Sequence, residues 1–236
     1  MAFKDVGFQY TPEHVVLAHV GFTLEQGKTY ALIGPTGGGK STTAALMARL
    51  YDPTEGTVEF MGRDIRSYTP EELSKHIGFI LQEPFLFSGT IGENIRYGNA
   101  ELEVLDDDAL IARLTSAGLD TVLQSFPDGL TTEVDNARDN ISLGQKQLIA
   151  FARMLLREPD LLILDEATAN IDTVTEQKLN AIIDRLPERT TNVIIAHRLN
   201  TIKKADQIFF INEGELHSVG SFEQALHLID EAKRGS

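Results

Sequence analysis

Apolar and polar positions along this 236-residue chain change period twice, from strand-like to helical and back to a mixture of the two. In residues 1–27, Phe3, Val6, Phe8 and Tyr10 have the spacing of a sheet edge; Thr11-Pro12 breaks the run and 15–24 resumes it. Short apolar, β-prone runs at 30–33, 57–60 and 77–81 predict three further strands. Residues 41–50 are rich in good helix formers and predict a helix after the first of these. From Glu83 to Arg157 strand runs vanish, and helical periodicity covers 91–97, 106–117, 119–126 and 142–156. Strand runs return at 161–164, 192–196 and 207–211, with helices predicted over 173–186 and 221–229. The order predicts an α/β core made of 1–82 and 158–236, with a helical lobe, 83–157, inserted into it. No internal repeat or low-complexity linker interrupts the chain.

The stretch 34–42, GPTGGGKST, sits between a predicted strand and a predicted helix and reads as G-x-x-x-x-G-K-[ST]. Such a loop can curl its backbone N–H groups around phosphate oxygens. Gly37, Gly38 and Gly39 permit the unusual dihedrals, and the new helix turns its positive end toward the anion. Lys40 would reach the β- and γ-phosphates, and the Ser41 hydroxyl would ligate Mg²⁺. A glycine-rich turn that merely ends in Lys-Ser is the competing reading, and the flanking strand and helix count against it. The pattern predicts a nucleoside-triphosphate site. Asp165, closing the apolar run 161–164, is placed to hold Mg²⁺ beside such a loop, directly or through a water. Glu166 beside it is the candidate to orient or deprotonate an attacking water.

Other polar residues stand at strand ends and helix starts, each with two readings. Tyr10 can stack on a purine or pack at a strand rim. Gln82 caps a buried strand near the carboxyl edge of the sheet, where ligands of α/β sheets bind, or is a solvated strand end. His197, just past the strand at 192–196, can contact a γ-phosphate or hold the attacking water, or be structural. Ser142-Leu143-Gly144-Gln145 is a capping box, whose N–H donors can meet an anion or simply start a helix. Thr69-Pro70-Glu71-Glu72 is a second box, with proline at the first helical position. Asp106-Asp107-Asp108 reads as a cap and first-turn charge rather than as a metal site.

Composition narrows the choice. Hydrophobic content of 42% and charged content of 24% are ordinary for a globular protein. A formal net charge of −14 disfavours a nucleic-acid surface, which needs clustered Lys and Arg. A phosphate site built from backbone amides and one lysine is compatible with that charge. The chain has no cysteine, which excludes disulfides, thiolate metal sites and Cys nucleophiles. No apolar run approaches the length of a membrane span, and no signal-peptide pattern opens the chain.

Taken together and in this order, these stretches resemble the nucleotide-binding domain of an ABC transporter of the exporter type. Phe8-Gln9-Tyr10 matches the adenine-stacking loop, 34–42 the Walker A motif, and ILQEPFLFSGTIGENI at 80–95 the Q-loop with its exporter-like sequel. ISLGQKQ at 141–147 matches the signature, and LLILDEAT at 161–168 matches Walker B with its glutamate. Asn170-Ile171-Asp172 matches the D-loop, and IIAHRLNTI at 194–202 the H-loop. The likeness covers essentially the whole chain.

It implies an α/β P-loop NTPase core with an antiparallel β subdomain at its N-terminal end, an inserted α-helical subdomain at 83–157, and ATP with Mg²⁺ as cofactors. Tyr10, Gly34, Pro35, Thr36, Gly37, Gly38, Gly39, Lys40, Ser41 and Thr42 would bind the nucleotide. Ser41, Gln82 and Asp165 would serve the metal, and Glu166, His197 and Gln82 the chemistry. Ser142, Gly144, Gln145 and Asp172 would complete the site of a second such domain, because the family pairs two domains head to tail around two ATP molecules. The resemblance further implies a transmembrane domain fused on the N-terminal side, with the chain an excised domain at the cytoplasmic face of a bacterial plasma membrane. It implies no transported substrate.

One departure matters. The family signature is LSGGQ, whereas 141–145 reads ISLGQ, with Leu143 in place of the first glycine. Leucine adds apolar bulk where the backbone should approach an anion. Residues 135–140 also lack the glycine and glutamate usual there. With Lys40, Ser41, Asp165, Glu166 and His197 intact, the expectation is a heterodimer in which this chain supplies the catalytic Walker face and a partner supplies an intact signature. The alternative is an ATP-binding dimerisation module with little hydrolysis. A chromosome-maintenance ATPase of the same superfamily fits poorly, since 83–157 carries no sustained heptads.

Overall fold

The computed structural model describes residues 1–135, 140–165, 171–195 and 202–235, with side chains through Glu231. The first elements are β1 (Ala2–Thr11), β2 (His14–Thr23), β3 (Thr29–Ile33), α1 (Lys40–Met47), β4 (Glu55–Phe60), β5 (Arg63–Asp64), α2 (Pro70–His76) and β6 (Ile77–Ile80). A stretch of short elements follows: β7 (Gly89–Thr90), α3 (Ile91–Arg96), α4 (Ala100–Glu103), α5 (Asp107–Ser116), α6 (Asp120–Leu123) and β8 (Glu133–Val134). The chain continues through α7 (Leu143–Leu155), β9 (Leu161–Asp165), α8 (Thr173–Ile183), β10 (Thr191–Ile195), β11 (Gln207–Asn212), β12 (Glu215–Val219) and α9 (Phe222–Gly235). Two compact units emerge, one from 1–79, 160–166 and 188–236, the other from 80–159 and 167–187.

The first unit contains an antiparallel sheet, ordered β2-β1-β4-β5, and a six-stranded sheet, ordered β12-β11-β3-β10-β9-β6. In the second sheet β3, β9, β10 and β11 run parallel, with Ile194 opposite both Ala31 and Leu164, while β12 returns antiparallel to β11. Residues 30–33 of β3 are fully buried, as a central parallel strand covered on both faces must be. Alternation along β3 splits them between two cores. Tyr30 and Leu32 join Phe8, Leu17 and Val58 of the antiparallel sheet and Leu46 and Met47 of α1. Ala31 and Ile33 join Phe210 and Ala225, flanked by Phe222 and Leu228 of α9.

The structure departs from the pattern-based reading at the end of α1 and at β12. The helix expected over 41–50 stops at Met47, because Arg49 takes a left-handed conformation (φ 51°) and Leu50 N–H turns back to the Ala45 carbonyl at 2.8 Å. Strand β12 was not expected. Glu213 and Gly214, both at positive φ (51° and 79°), form the tight turn that folds it back on β11.

The second unit is helical, with one short pairing of β7 with β8. Capping boxes start α3 at Thr90 and α7 at Ser142, and Asp106 caps α5 by accepting the Ala109 N–H at 2.8 Å. Helix α7 buries Leu148, Ile149, Phe151 and Ala152. Its Arg153 donates to the Asn94 carbonyl at 2.8 Å, to Asn94 Oδ1 at 3.0 Å and to the Phe85 carbonyl at 3.2 Å. Burial pushes the Arg153 pKa down.

The helix expected over 119–126 is a single turn, Asp120–Leu123. The expected division, 83–157 against the rest, also shifts. Helix α8 groups with the helical unit, because Lys178 Nζ donates to Ser125 Oγ at 2.8 Å and Thr175 packs on Gly144. Among the described residues no helix is long and apolar enough to cross a membrane.

Candidate functional site

In the first unit the loop 34–39 links β3 to α1. Gly34 (φ 144°) lies so close to β11 that a Cβ there would stand 1.9 Å from the Ile211 carbonyl oxygen, so only glycine fits. Gly37 (φ 80°) has the opposite environment: a Cβ there would meet no atom within 4 Å. One glycine is demanded by packing; the other carries backbone into open space at the loop's tip. Beyond them Gly39 caps α1 with no side-chain hydrogen bond, and no acidic residue occupies the helix's first turn. The positive end of α1 thus carries no carboxylate of its own in that turn.

Lys40 is nearly buried at 6% exposure, and its Nζ donates to the Gly34 and Pro35 carbonyls at 3.0 and 2.9 Å. The ammonium therefore lies folded over the loop it belongs to. Ser41 is exposed and Thr42 buried. The Thr42 hydroxyl meets the Tyr10 hydroxyl at 3.1 Å, which places the strand-end tyrosine against the loop-helix junction. Tyr10 nevertheless keeps half its surface in solvent. Asp165 ends β9 half-buried and opposite Ile195 of β10, and β9 packs against α1. Glu166, His197 and Asn170 lie outside the described residues.

In the second unit the Gln82 side chain is exposed, while its carbonyl accepts from Gln147 Nε2. At the start of α7, Ser142 Oγ accepts the Gln145 N–H at 3.2 Å and Gln145 Oε1 accepts the Ser142 N–H at 3.0 Å. Gln145 Nε2 also donates to the Ser125 carbonyl at 3.0 Å, so this side chain is committed to the fold. Leu143 is half-buried. Gly144 has no room for a side chain, since a Cβ would meet Thr175 Cγ2 at 2.8 Å. Thr175 in turn bonds Asp172, which caps α8 by accepting the Thr175 N–H at 3.0 Å and hydroxyl at 2.7 Å. Those hydrogen bonds lower the Asp172 pKa. Thr175 thereby joins the two stretches that hold Gly144 and Asp172.

Tyr51, Gln147 and Thr175 escaped the sequence reading. Gln147 carried a usable signal, a glutamine on the apolar face of α7, and is fully buried. Tyr51 and Thr175 carried none, because their partners are distant in sequence.

The sequence profile described as ABC transporter matches residues 17–169. The chain belongs to the ABC transporter family. Among its relatives, the ABC transporter ATP-binding protein YfiC of Bacillus subtilis is 45% identical over 224 residues, covering 95% of this chain and 37% of that protein. The probable multidrug resistance ABC transporter ATP-binding/permease protein YheH of the same organism is 40% identical, over 96% of this chain and 33% of its own length. The mitochondrial potassium channel ATP-binding subunit of Xenopus tropicalis is 44% identical, over 95% and 33%. A solved structure of a bacterial Atm1-family ABC exporter with ATP bound superposes with a TM-score of 0.85 at 34% identity, covering 99% of this chain and 41% of that one. The ABC domain described here therefore spans between a third and two-fifths of the length of these relatives.

Proposed function

We propose that this ABC domain binds and hydrolyses ATP as the motor of an exporter at the cytoplasmic face of a bacterial plasma membrane. The observation that carries the reading is the loop 34–42: a turn with an open glycine tip at Gly37 that leads into α1, the helix against which β9 packs with the half-buried Asp165 at its end. In this reading Gly37, Gly38 and Gly39 offer backbone N–H groups to the phosphates and Lys40 swings from its loop carbonyls to the β- and γ-phosphates. Tyr10 stacks on adenine. The exposed Ser41 hydroxyl and the Asp165 carboxylate are hard oxygen donors suited to Mg²⁺; bound there, the ion would neutralise charge on the phosphates. Glu166 would accept a proton from the attacking water as the water oxygen bonds the γ-phosphorus and the bond from phosphorus to the β–γ bridging oxygen breaks, leaving ADP and phosphate, and His197 would hold the γ-phosphate.

ATP turnover tests this directly. Glu166→Gln should lower steady hydrolysis by about 10²- to 10⁴-fold while ATP binding persists, and Lys40→Ala should lose binding itself. Full turnover by Glu166→Gln would overturn the assignment.

Partners follow from the same reading. Ser142, Gly144, Gln145 and Asp172 would complete the ATP site of a second ABC domain. The half-buried Leu143 favours a different chain as that second domain, one whose signature keeps its glycine. The transmembrane domain would dock near Gln82, where Phe85 and Tyr97 lie exposed and Phe87 packs between them, at ring distances of 5.0 and 4.2 Å. A relative that unites ATP-binding and permease parts supports this arrangement. The alternative of a hydrolysis-poor dimerisation module, which rests on ISLGQ alone, is not favoured by the family match.

A further inference from the structure

Tyr51 is a large aromatic left half-exposed just after α1, outside the phosphate loop and its helix. The left-handed Arg49 ends the helix and throws the chain back toward β1 instead of letting it run on. Two contacts fix the return: Leu50 N–H on the Ala45 carbonyl at 2.8 Å, and Thr54, whose N–H and hydroxyl both donate to the Gly7 carbonyl at 3.0 Å. The Tyr51 ring then stands 5.2 Å from the Tyr10 ring at 86° and 5.5 Å from the Phe8 ring at 54°. Phe8 closes the triangle, 4.8 Å from Tyr10 at 90°. The Tyr10 ring is thus flanked by two near-perpendicular rings while its hydroxyl is tied to Thr42 at 3.1 Å.

A tyrosine at a strand end ordinarily has two free side-chain torsions, and a purine that stacks on it must first freeze them. Edge-to-face neighbours and a hydroxyl partner remove that freedom beforehand, so less ordering entropy opposes binding. We infer that Tyr51 is a positioning residue for the base end of the nucleotide site, holding the Tyr10 ring in the orientation that receives a purine. The inference rests on the nucleotide reading above and extends it to a residue beyond the motif. Thr42 lies in the first turn of α1 and Tyr51 follows the end of that helix, so the phosphate loop and the purine platform are carried by one continuous stretch of chain.

The test compares ATP with inorganic tripolyphosphate, which shares the phosphates but has no base, by calorimetry on the full chain. Tyr51→Leu should weaken ATP about 3- to 10-fold, the range of an aromatic pair, and leave tripolyphosphate unchanged. Tyr51→Phe, which keeps the ring, should restore ATP binding to the wild-type value. Equal loss of both ligands, or no loss of either, overturns the role of Tyr51 while leaving the nucleotide site standing. Failure of the wild-type chain to bind ATP overturns the nucleotide reading and this inference with it. Since the ratio of the two affinities is taken within one variant, a general loss of stability cancels. Tyr51→Gln repeats the comparison if the leucine variant does not fold.

Discussion

Gln147 holds Gln82 by its backbone: the buried Nε2 of Gln147 donates to the Gln82 carbonyl at 2.5 Å and to the Leu81 carbonyl at 3.2 Å. The helix that opens with the signature thus grips the strand end from which Gln82 projects. The other amide atom, Gln147 Oε1, has no partner among the described residues. A buried amide with one end unsatisfied is expensive to keep, which points to the grip on the two carbonyls as its reason for being there.

Gln147→Leu keeps the volume and removes both donors. It should destabilise the domain by about 1–3 kcal/mol, measured by urea unfolding, and speed hydrogen exchange in the segment after Gln82. Unchanged exchange there would show that the segment is held by other contacts.

The close fit of Gly144 on Thr175 gives a second prediction. A Cβ at 144 would sit 2.8 Å from Thr175 Cγ2, nearer than van der Waals contact allows. Gly144→Ala should therefore lower stability by about 1–3 kcal/mol through overpacking. Adding Thr175→Ser, which deletes that methyl, should recover part of the loss, so a double-mutant cycle in thermal unfolding should give a non-zero coupling. Strict additivity of the two changes would mean that the contact is not the cause.

Much of this was legible beforehand, and the division follows a physical line. The loop 34–42 and the capping boxes at Thr69 and Ser142 are local: each depends on residues only a few positions apart, which a sequence displays directly. The buried strand at 30–33 was equally plain, since a fully covered parallel strand is a continuous apolar run. Helix α8 also showed its period, yet its allegiance to the helical unit depends on Lys178 meeting Ser125 and Thr175 meeting Gly144, pairs that no local pattern encodes. Likewise Tyr51 reads as an unremarkable aromatic until the left-handed Arg49 is known to turn it back on Tyr10. The folded position of Lys40 over the Gly34 and Pro35 carbonyls was also beyond the motif, which names the lysine's target but not where the side chain rests.

Asp172 provides a pH-dependent prediction. The Thr175 hydroxyl, followed by the Thr175 N–H, holds the Asp172 carboxyl below the usual carboxylate range. A depressed folded-state pKa means that the carboxylate's support for α8 is fully present above the unfolded value, about 3.9. That support is lost as pH falls through the lower, folded value. Wild-type α8 should therefore begin to fray only in that acidic window. Thr175→Val deletes the hydroxyl and should move the Asp172 titration midpoint upward in a carboxyl NMR titration. Asp172→Asn, which still caps, should remove the acid-dependent component. An unmoved midpoint in Thr175→Val would assign the shift to the backbone N–H alone.

The substitution at Leu143 yields the sharpest functional prediction. Leu143 is the first residue of α7, directly after the Ser142 cap, and stands half-buried where a glycine would leave the backbone open to an incoming phosphate. If the leucine is what prevents two copies of this chain from completing each other's ATP sites, Leu143→Gly should let them do so. The wild-type chain alone should then hydrolyse ATP slowly, at a rate proportional to its concentration. The glycine variant should turn over faster, with a rate rising as the square of concentration before it saturates. The change weakens helix α7 by at most about 1 kcal/mol, so a lower thermal midpoint of modest size should accompany the gain. A partner domain with a complete signature should stimulate the wild-type chain more than it stimulates the variant. Brisk, cooperative hydrolysis by the wild-type chain alone would instead mean that ISLGQ contacts the phosphate as it stands, and that Leu143 turns its side chain out of the way.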